Sequence, residues 1–374
     1  MPSMPAETKA NFHSDSFDWL ISPVHDDLGY QFKGGFCSVG YGFYAQHRMQ
    51  HPSLSYGFYS RDGVVRLSPR YSKVEYFSEG LCAASLLRPK YESGYTSDSR
   101  GGFGYINYQG EYQIEPNFLG AGDFSDGVAV VSTFNETFVI DKQGERKFNL
   151  DHDNINWMFG NVEIAKMKDS RLRFFDSSSG GFGFLDANGN IVIPGIFDDV
   201  SDFSEGFALV CRGDKYAFID VDGNKVGDYL FTEAHSFQDG LAQVKYELNG
   251  KEWSACLNSS GELLASVEGD SPYRFSDGLS GKVDEKSGLL GFVNSKLEYV
   301  IDPQYESSFS PLGTNANFSD GLAWINEPSG WSVIDKTGAK LLWEGINFFS
   351  ANLFSEGVSV VQYDRGKYGA IGKL

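Results

Sequence analysis

One tetrapeptide constrains this chain more than anything else in it. Phe-Ser-acid-Gly recurs at Phe77–Gly80, Phe124–Gly127, Phe203–Gly206, Phe275–Gly278, Phe318–Gly321 and Phe354–Gly357, with FQDG at Phe237 as a close variant. FKGG at Phe32 and WMFG at Trp157 complete nine anchors, spaced 33 to 47 residues apart and about 40 on average. Self-similarity at such a period is the mark of a repeat architecture. Five residues after the aromatic stands a small side chain (Cys37, Cys82, Ala129, Ala208, Ala242, Ser280, Ala323, Ser359), with Val162 the exception. Two residues later stands an apolar one, such as Val131, Val210, Val244 or Val361, with Lys282 the exception. A period of two predicts a strand with one buried face.

A second block follows each anchor: YGFYSRDG at Tyr56, FGYINYQG at Phe103, TFVIDKQG at Thr137, FGFLDANG at Phe182, YAFIDVDG at Tyr216, SACLNSSG at Ser254 and WSVIDKTG at Trp331. Looser copies begin at Leu290 and Tyr368. A short aromatic strand runs into Asp or Asn, two polar residues and Gly, which is hairpin chemistry, since Asx side chains bond nearby backbone and Gly accepts positive φ. The returning strands carry Pro69, Pro116, Pro194 and Pro303. One unit is therefore about three strands, with no sustained helical period.

These residues resemble the WG-repeat (KWG-repeat) family of bacterial β-repeat proteins, best at Phe103–Gly110, Phe182–Gly189 and Tyr216–Gly223, each followed by an FSEG-type turn. The likeness spans roughly Phe32 to Leu374. Only Trp331 keeps the Trp, and Ser332 follows it in place of Gly. The resemblance implies an all-β tandem array, no established catalytic activity and no cofactor. Members are often accessory or interaction modules, some of them candidate immunity proteins beside toxin genes.

A single unit cannot bury its apolar face alone, so stacked neighbours must do so. The expectation is all-β tandem hairpin repeats in a curved, solenoid-like β-array over residues 30–374. A closed β-propeller is the alternative. Three strands per unit and irregular steps favour the open array. Residues 1–29, with FDWLISPV, then serve as an N-terminal cap over an exposed end.

Composition narrows the function classes. Lys and Arg total 31 against 50 Asp and Glu, a formal net charge of −19, which argues against nucleic acid as a partner. With 31 Phe, 20 Tyr and 6 Trp the chain is no disordered acidic tail. No run of about 18 apolar residues suggests a membrane span. The N-terminus lacks a basic region followed by an apolar one, which places the chain in the cytoplasm. Cys37, Cys82, Cys211 and Cys256 form no CxxC pair, and the first two fill the small slot of the strand.

Candidate chemistry follows from position. Glu79, Asp126, Glu205, Asp239, Asp277, Asp320 and Glu356 occupy the acid slot of seven turns and would form an acidic partner-binding ridge. Asp220–Asn224 resembles a short calcium loop but lacks the closing bidentate acid, so a hairpin turn explains it. His47 and His51 have i, i+4 spacing without a third ligand, and Asp151–Asp153 reads as loop. No catalytic, cofactor or metal residue is singled out. Two long insertions, Ser85–Gly102 and Glu306–Asn317, are Ser-rich loops that either carry recognition or are tolerated length. The resulting expectation is a non-catalytic scaffold that binds a basic protein, with an immunity or inhibitor role against a toxin or effector. A carbohydrate-binding or carbohydrate-acting protein is the rival reading.

Overall fold

A computed structural model describes residues 17–25, 27–28, 31–41, 55–86, 102–150, 166–269, 274–306, 317–328, 330–346, 348–364 and 367–373. All regular structure among them is β-strand in antiparallel pairing, and no helix is long and apolar enough to cross a membrane. The chain divides into two compact units, Met1–Ser72 with Pro272–Leu374, and Lys73–Ser271.

The repeat that begins at Phe124, in the second unit, shows how the motif folds. Ser125 and Val128 exchange backbone hydrogen bonds around Asp126 and Gly127, whose φ values are 53° and 79°. Val128–Ser132 then pairs with Thr137–Asp141, Ala129 opposite Ile140 and Val131 opposite Phe138. Asp141 closes the second turn. Its Oδ1 accepts the N–H groups of Gln143 and Glu145, and Gly144 N donates to its carbonyl. Arg146–Leu150 returns along the outer edge, more exposed than the two strands before it. A two-residue strand, Gly120–Ala121, pairs with the other side of Val128–Ser132. Similar two-residue strands at Asp199–Val200, Glu233–Ala234 and Ser350–Ala351 make those repeats four-stranded as well.

The anchor aromatic packs on the repeat before it. Phe124 lies 4.7 Å from Tyr105, Phe203 4.7 Å from Phe184, Phe237 4.9 Å from Phe218 and Phe318 5.0 Å from Phe292, all edge to face. Each second ring comes from the aromatic-rich strand of the preceding repeat. Such pairs add about 0.5–1.5 kcal/mol beyond the area they bury. Small residues at the fifth position leave room for these rings, and Cys82, Ala129, Ala208, Ala242 and Ala323 are all buried.

The Gly of the aromatic-Gly pair has a steric cause. A Cβ at Gly57, Gly104, Gly183 or Gly291 would lie 2.4, 2.4, 2.3 or 2.6 Å from the carbonyl oxygen of Leu67, Ile114, Ile193 or Ile301. In each case the chain then runs into Pro69, Pro116, Pro194 or Pro303, and the ladder slips register there. Copies whose return strand lacks this Pro carry Phe138, Ala217, Ala255 or Ser332 instead of Gly. The ladder slips at the same place in copies without the Pro, so the bulge is common to these repeats, and the Gly–Pro copies are those where the return strand's carbonyl comes so close that only Gly fits beneath.

The first unit overturns the open array. Its sheet Ser350–Ala351, Val358–Asp364, Lys367–Lys373 is completed by the N-terminal strand Phe17–His25, which pairs Phe17 with Lys373 and Trp19 with Ile371. Ile21 is 2% exposed and packs with Phe32, Val358, Val360 and Ala370. The first and last strands therefore share one sheet. That joining belongs to the alternative, the β-propeller, and not to a solenoid-like array with two ends to cover. FDWLISPV supplies the outer strand of the last repeat, where a cap over a free end was expected.

The fourth anchor also shifts. Trp157 lies outside the described residues, and the turn of that repeat is Met167-Lys168-Asp169-Ser170, closed by reciprocal bonds between Lys168 and Arg171. Met167, 2% exposed, fills the aromatic slot, and Ser170 stands at φ 58° where other copies have Gly.

Ile21→Ala is expected to lower unfolding stability by about 2–5 kcal/mol in urea titration, because it empties the contact that joins the two ends. An unchanged midpoint would contradict the shared sheet. Gly104→Ala is expected to lose about 1–3 kcal/mol from overpacking against Ile114, whereas Ser332→Ala, at the same position of a copy without the Pro, loses less, about 0.5–1 kcal/mol for the weak bond of its buried hydroxyl to Glu327. Equal losses at both positions would remove the steric account.

Candidate functional site

The acids singled out by the sequence gather at the turns, where six of the seven do the same thing. Glu79, Asp126, Glu205, Asp239, Asp277, Asp320 and Glu356 all adopt φ between 52° and 56°. Left-handed backbone is unfavourable for residues with a Cβ and is held here by the reciprocal turn bonds. In that pose the side chain runs along the row of turns to the next repeat. In the second unit Glu79 Oε2 accepts Gly127 N at 3.0 Å, and Asp126 Oδ2 accepts Ser170 N at 2.7 Å. Glu205 accepts both Asp239 N and Gly240 N, each at 2.8 Å. In the first unit Asp277 reaches Gly321 N at 2.6 Å, Asp320 reaches Gly357 N at 2.9 Å and Glu356 reaches Gly35 N at 2.8 Å.

The Ser before Glu79, Glu205, Asp277, Asp320 and Glu356 makes a second bond to the same neighbour. Ser78 Oγ donates to the Phe124 carbonyl, Ser204 to Phe237, Ser276 to Phe318, Ser319 to Phe354 and Ser355 to Phe32, all at 2.7–2.8 Å. The FSEG turn is thus a two-point latch on the next FSEG turn. Glu356 and Ser355 carry it from the last repeat to the first. Charge-assisted bonds of this kind contribute about 1 kcal/mol each once solvent screening is allowed for.

Sequence reasoning placed six of these latches by their acids but missed Asp169, whose Oδ2 accepts Gly206 N at 2.7 Å. Its spacing could have revealed it, since Met167 stands 43 residues after Phe124 and 36 before Phe203, within the range of the other steps.

Hairpin turns hold their own carboxylates ionised, both the Asp-x-x-Gly turns at Asp186 and Asp220 and the longer Asp-x-x-x-Gly turns at Asp176 and Asp284. The Asn190 side chain and the backbone N–H groups of Asn190 and Asn188 keep Asp186 below the usual 3.8. The Ser178 and Ser179 hydroxyls do so for Asp176, and Ser287 for Asp284. At Asp220 burial opposes, but the Asn224 side chain and turn N–H groups prevail. Asp220 Oδ1 accepts Asp222 N and Asn224 N, so the calcium-like segment is a hairpin turn satisfied from within.

The remaining candidates divide between core and surface. Cys37, Cys82 and Cys256 are buried, and burial drives the Cys82 thiol well above its ordinary value and that of Cys256 up to about 11. Neither is a reactive thiolate. His235 is exposed, with Nε2 3.6 Å from Glu233. Among the described residues no group of three or more His, Cys, Asp and Glu could hold a metal ion. His47, His51, Asp151–Asp153 and most of the two long insertions lie outside the described residues. A shallow concavity of about 330 Å³ opens beside the first unit's turns, between Gln31, Asp320, Asn352 and Leu353.

Asp320→Ala is expected to lose about 1–2 kcal/mol in urea titration, with Asp320→Asn losing less because its carbonyl still accepts the Gly357 N–H. Equal losses would show that the latch bond contributes nothing. Stability is also expected to fall with acid. A carboxyl whose folded pKa is depressed stabilises fully above its unfolded value and loses that contribution as pH drops through the folded one. For Asp176, Asp186 and Asp284 the loss starts near pH 4, and Asp186→Asn should flatten that part of a stability–pH curve. A variant curve that overlays the parent's there would exclude the turn bonds as its cause.

Known proteins add a family and remote likenesses. No curated protein sequence matches the chain. Among solved structures it is similar to Hsv2 of Kluyveromyces marxianus at 10% identity, TM-score 0.37, over 86% of this chain and 100% of that one. Dipeptidyl peptidase 4 of Porphyromonas gingivalis aligns at 12% identity, TM-score 0.42, over 96% and 58%. The Pan2 WD40 domain of Neurospora crassa aligns at 9%, TM-score 0.30, over 97% of each. These likenesses are remote, and the fold rests on the chain's own strand pairing. The family model described as WG containing repeat matches residues 56–86, 103–133, 182–216, 217–251 and 291–327. Over those five segments, which reach across most of its length, the chain is built of WG repeats.

Proposed function

We propose that this chain is a non-catalytic scaffold that binds a basic protein, acting as an immunity or inhibitor protein against a basic toxin or effector. The observation that carries the reading is the formal net charge of −19 on a framework whose turns hold carboxylates ionised. Such a field attracts a cationic partner over several ångströms and raises its rate of encounter. It also repels phosphate backbones, so nucleic acid is the wrong class of partner. Latched turns add rigidity, which reduces the ordering entropy a binding surface loses on association.

The acids of the FSEG-type turns contribute to this field. Six of the seven also accept a backbone N–H of the next turn, which leaves part of each carboxylate's acceptor capacity for a cation, as Glu79 shows with Lys142. Affinity capture with the tagged full chain, followed by titration of the purified partner from 50 to 500 mM salt, tests the reading. The expected result is a partner of basic isoelectric point whose association rate falls at least tenfold across that range. An acidic partner, or one whose binding ignores salt, would overturn it.

A further inference from the structure

The second unit has two distinguishable ends. Latches from Glu79 to Gly127, Asp126 to Ser170, Asp169 to Gly206 and Glu205 to Gly240 bring the FSEG-type turns of successive repeats side by side. Strands leaving those turns run away from them, as Val128–Ser132, Phe207–Arg212 and Leu241–Leu248 do, and double back at the far end. The hairpin tips of these repeats therefore also lie together, opposite the latches.

That far end carries large apolar side chains in water. Phe134, in the hairpin between Ser132 and Thr137, is 86% exposed, and Leu119 is 56% exposed. Leu119 N bonds the Ser132 carbonyl, which puts both at the end of one sheet. Leu248 at the third tip further on and Leu230 beside it are 48% and 56% exposed; Thr232 N bonds Lys245 O and ties them to one sheet end. Ile196, 49% exposed, precedes the turn where Asp198 N bonds Cys211 O. Single exposed apolar residues are ordinary, but five at the same end of neighbouring repeats mark a contact surface.

Carboxylates border them, and the cations at the hairpins of Phe134 and Leu248 are already paired, Lys251 opposite Leu248 with Glu268 and Arg146 with Glu136. Glu247 and Glu252 face each other directly across the hairpin that carries Leu248, an unfavourable like-charge pair. Asp198, Asp199 and Asp214 crowd Cys211, whose thiol is pushed up first by burial and then by these three charges. Acidic surroundings repel anionic lipid headgroups and phosphates and complement Lys and Arg.

We infer that the hairpin end of the second unit is a docking surface for a basic amphipathic protein segment. Its apolar residues would seat between Leu119, Phe134, Ile196, Leu230 and Leu248, and its cations would meet Glu247, Glu252 and the Asp198–Asp214 cluster. This inference rests on the proposed function and names the contact surface for it.

The test titrates the full chain with a synthetic peptide of alternating Leu and Lys. Measurable binding is expected, weakened at least tenfold in Phe134→Ser/Leu248→Ser. Glu247→Gln/Glu252→Gln should weaken it and reduce its salt dependence. Ile191→Ser, an equally exposed apolar site on an outer strand of the same unit, should leave it unchanged. Absence of binding, hairpin variants that bind as the parent does, or a loss at Ile191→Ser equal to theirs would overturn the inference. The captured natural partner separates the two readings. If it is basic and salt-sensitive yet binds the hairpin variants undiminished, the surface is wrong and the scaffold stands.

Discussion

Seven turns of this protein place an acid (Glu79, Asp126, Asp169, Glu205, Asp277, Asp320 or Glu356) in left-handed backbone so that its carboxylate points at an N–H of the next turn. Neither half of that arrangement is favourable alone. A Cβ at positive φ is strained, and a row of carboxylates repels itself. Together they stabilise each other, because the left-handed pose aims the side chain and the N–H group neutralises its oxygen. In five of these turns the neighbouring Ser adds a neutral bond to the same repeat. Rings such as Phe124 on Tyr105 then fill the space beneath. Polar latch and aromatic contact both run between consecutive repeats, so a repeat without neighbours would lose both. The same logic explains the pairing of Phe17–His25 with the C-terminal strands: a free end would leave a latch without its acceptor and an edge without its partner.

Variation among the copies obeys this geometry. Gly follows the aromatic where the return strand carries Pro, and larger residues follow it where the Pro is absent. Two positions 11 or 12 residues apart, on facing strands of one repeat, thus change together without disturbing the fold. The copy at Met167 shows a further tolerance. Methionine replaces an aromatic ring and Ser replaces Gly, yet Asp169 still accepts the Gly206 N–H. The acid and its backbone pose persist when the residues around them have drifted.

Much of the fold was legible because its periodicities are short and its turns chemically distinctive. The strand following each anchor, the Asp-x-x-Gly hairpins and the small slot holding Cys37 and Cys82 all follow from residue type and spacing. The innermost strand was not legible. Gly120–Ala121 and Asp199–Val200 are two residues long, too short for any alternation to show, and without them the count favoured three strands and an open array. The pairing of Trp19 with Ile371 was invisible for a different reason, since contacts between chain ends leave no local pattern. The acids were found correctly as a repeating set, but repetition alone does not say which way a carboxylate points. Its direction depends on φ, which residue type only weakly constrains.

Repetition and function separate along the same line. A residue present in every copy meets a demand that every copy shares, and here that demand is attachment to the next repeat. Ser78, Glu79 and Gly80 recur for that reason, so their abundance is a sign of architecture. Specific recognition needs surfaces that differ from copy to copy. The far hairpins meet that condition: Phe134 at one tip, Ser178 and Ser179 at the next, Gly213 and Asp214 after them, then Leu248 and Asn249. Nothing in the fold requires a bulky apolar group at an exposed tip, where Asn, Asp or Gly close a hairpin as well. Phe134 and Leu248 therefore carry information that the repeat itself does not, and a partner that reads it would distinguish this chain from others built on the same latch.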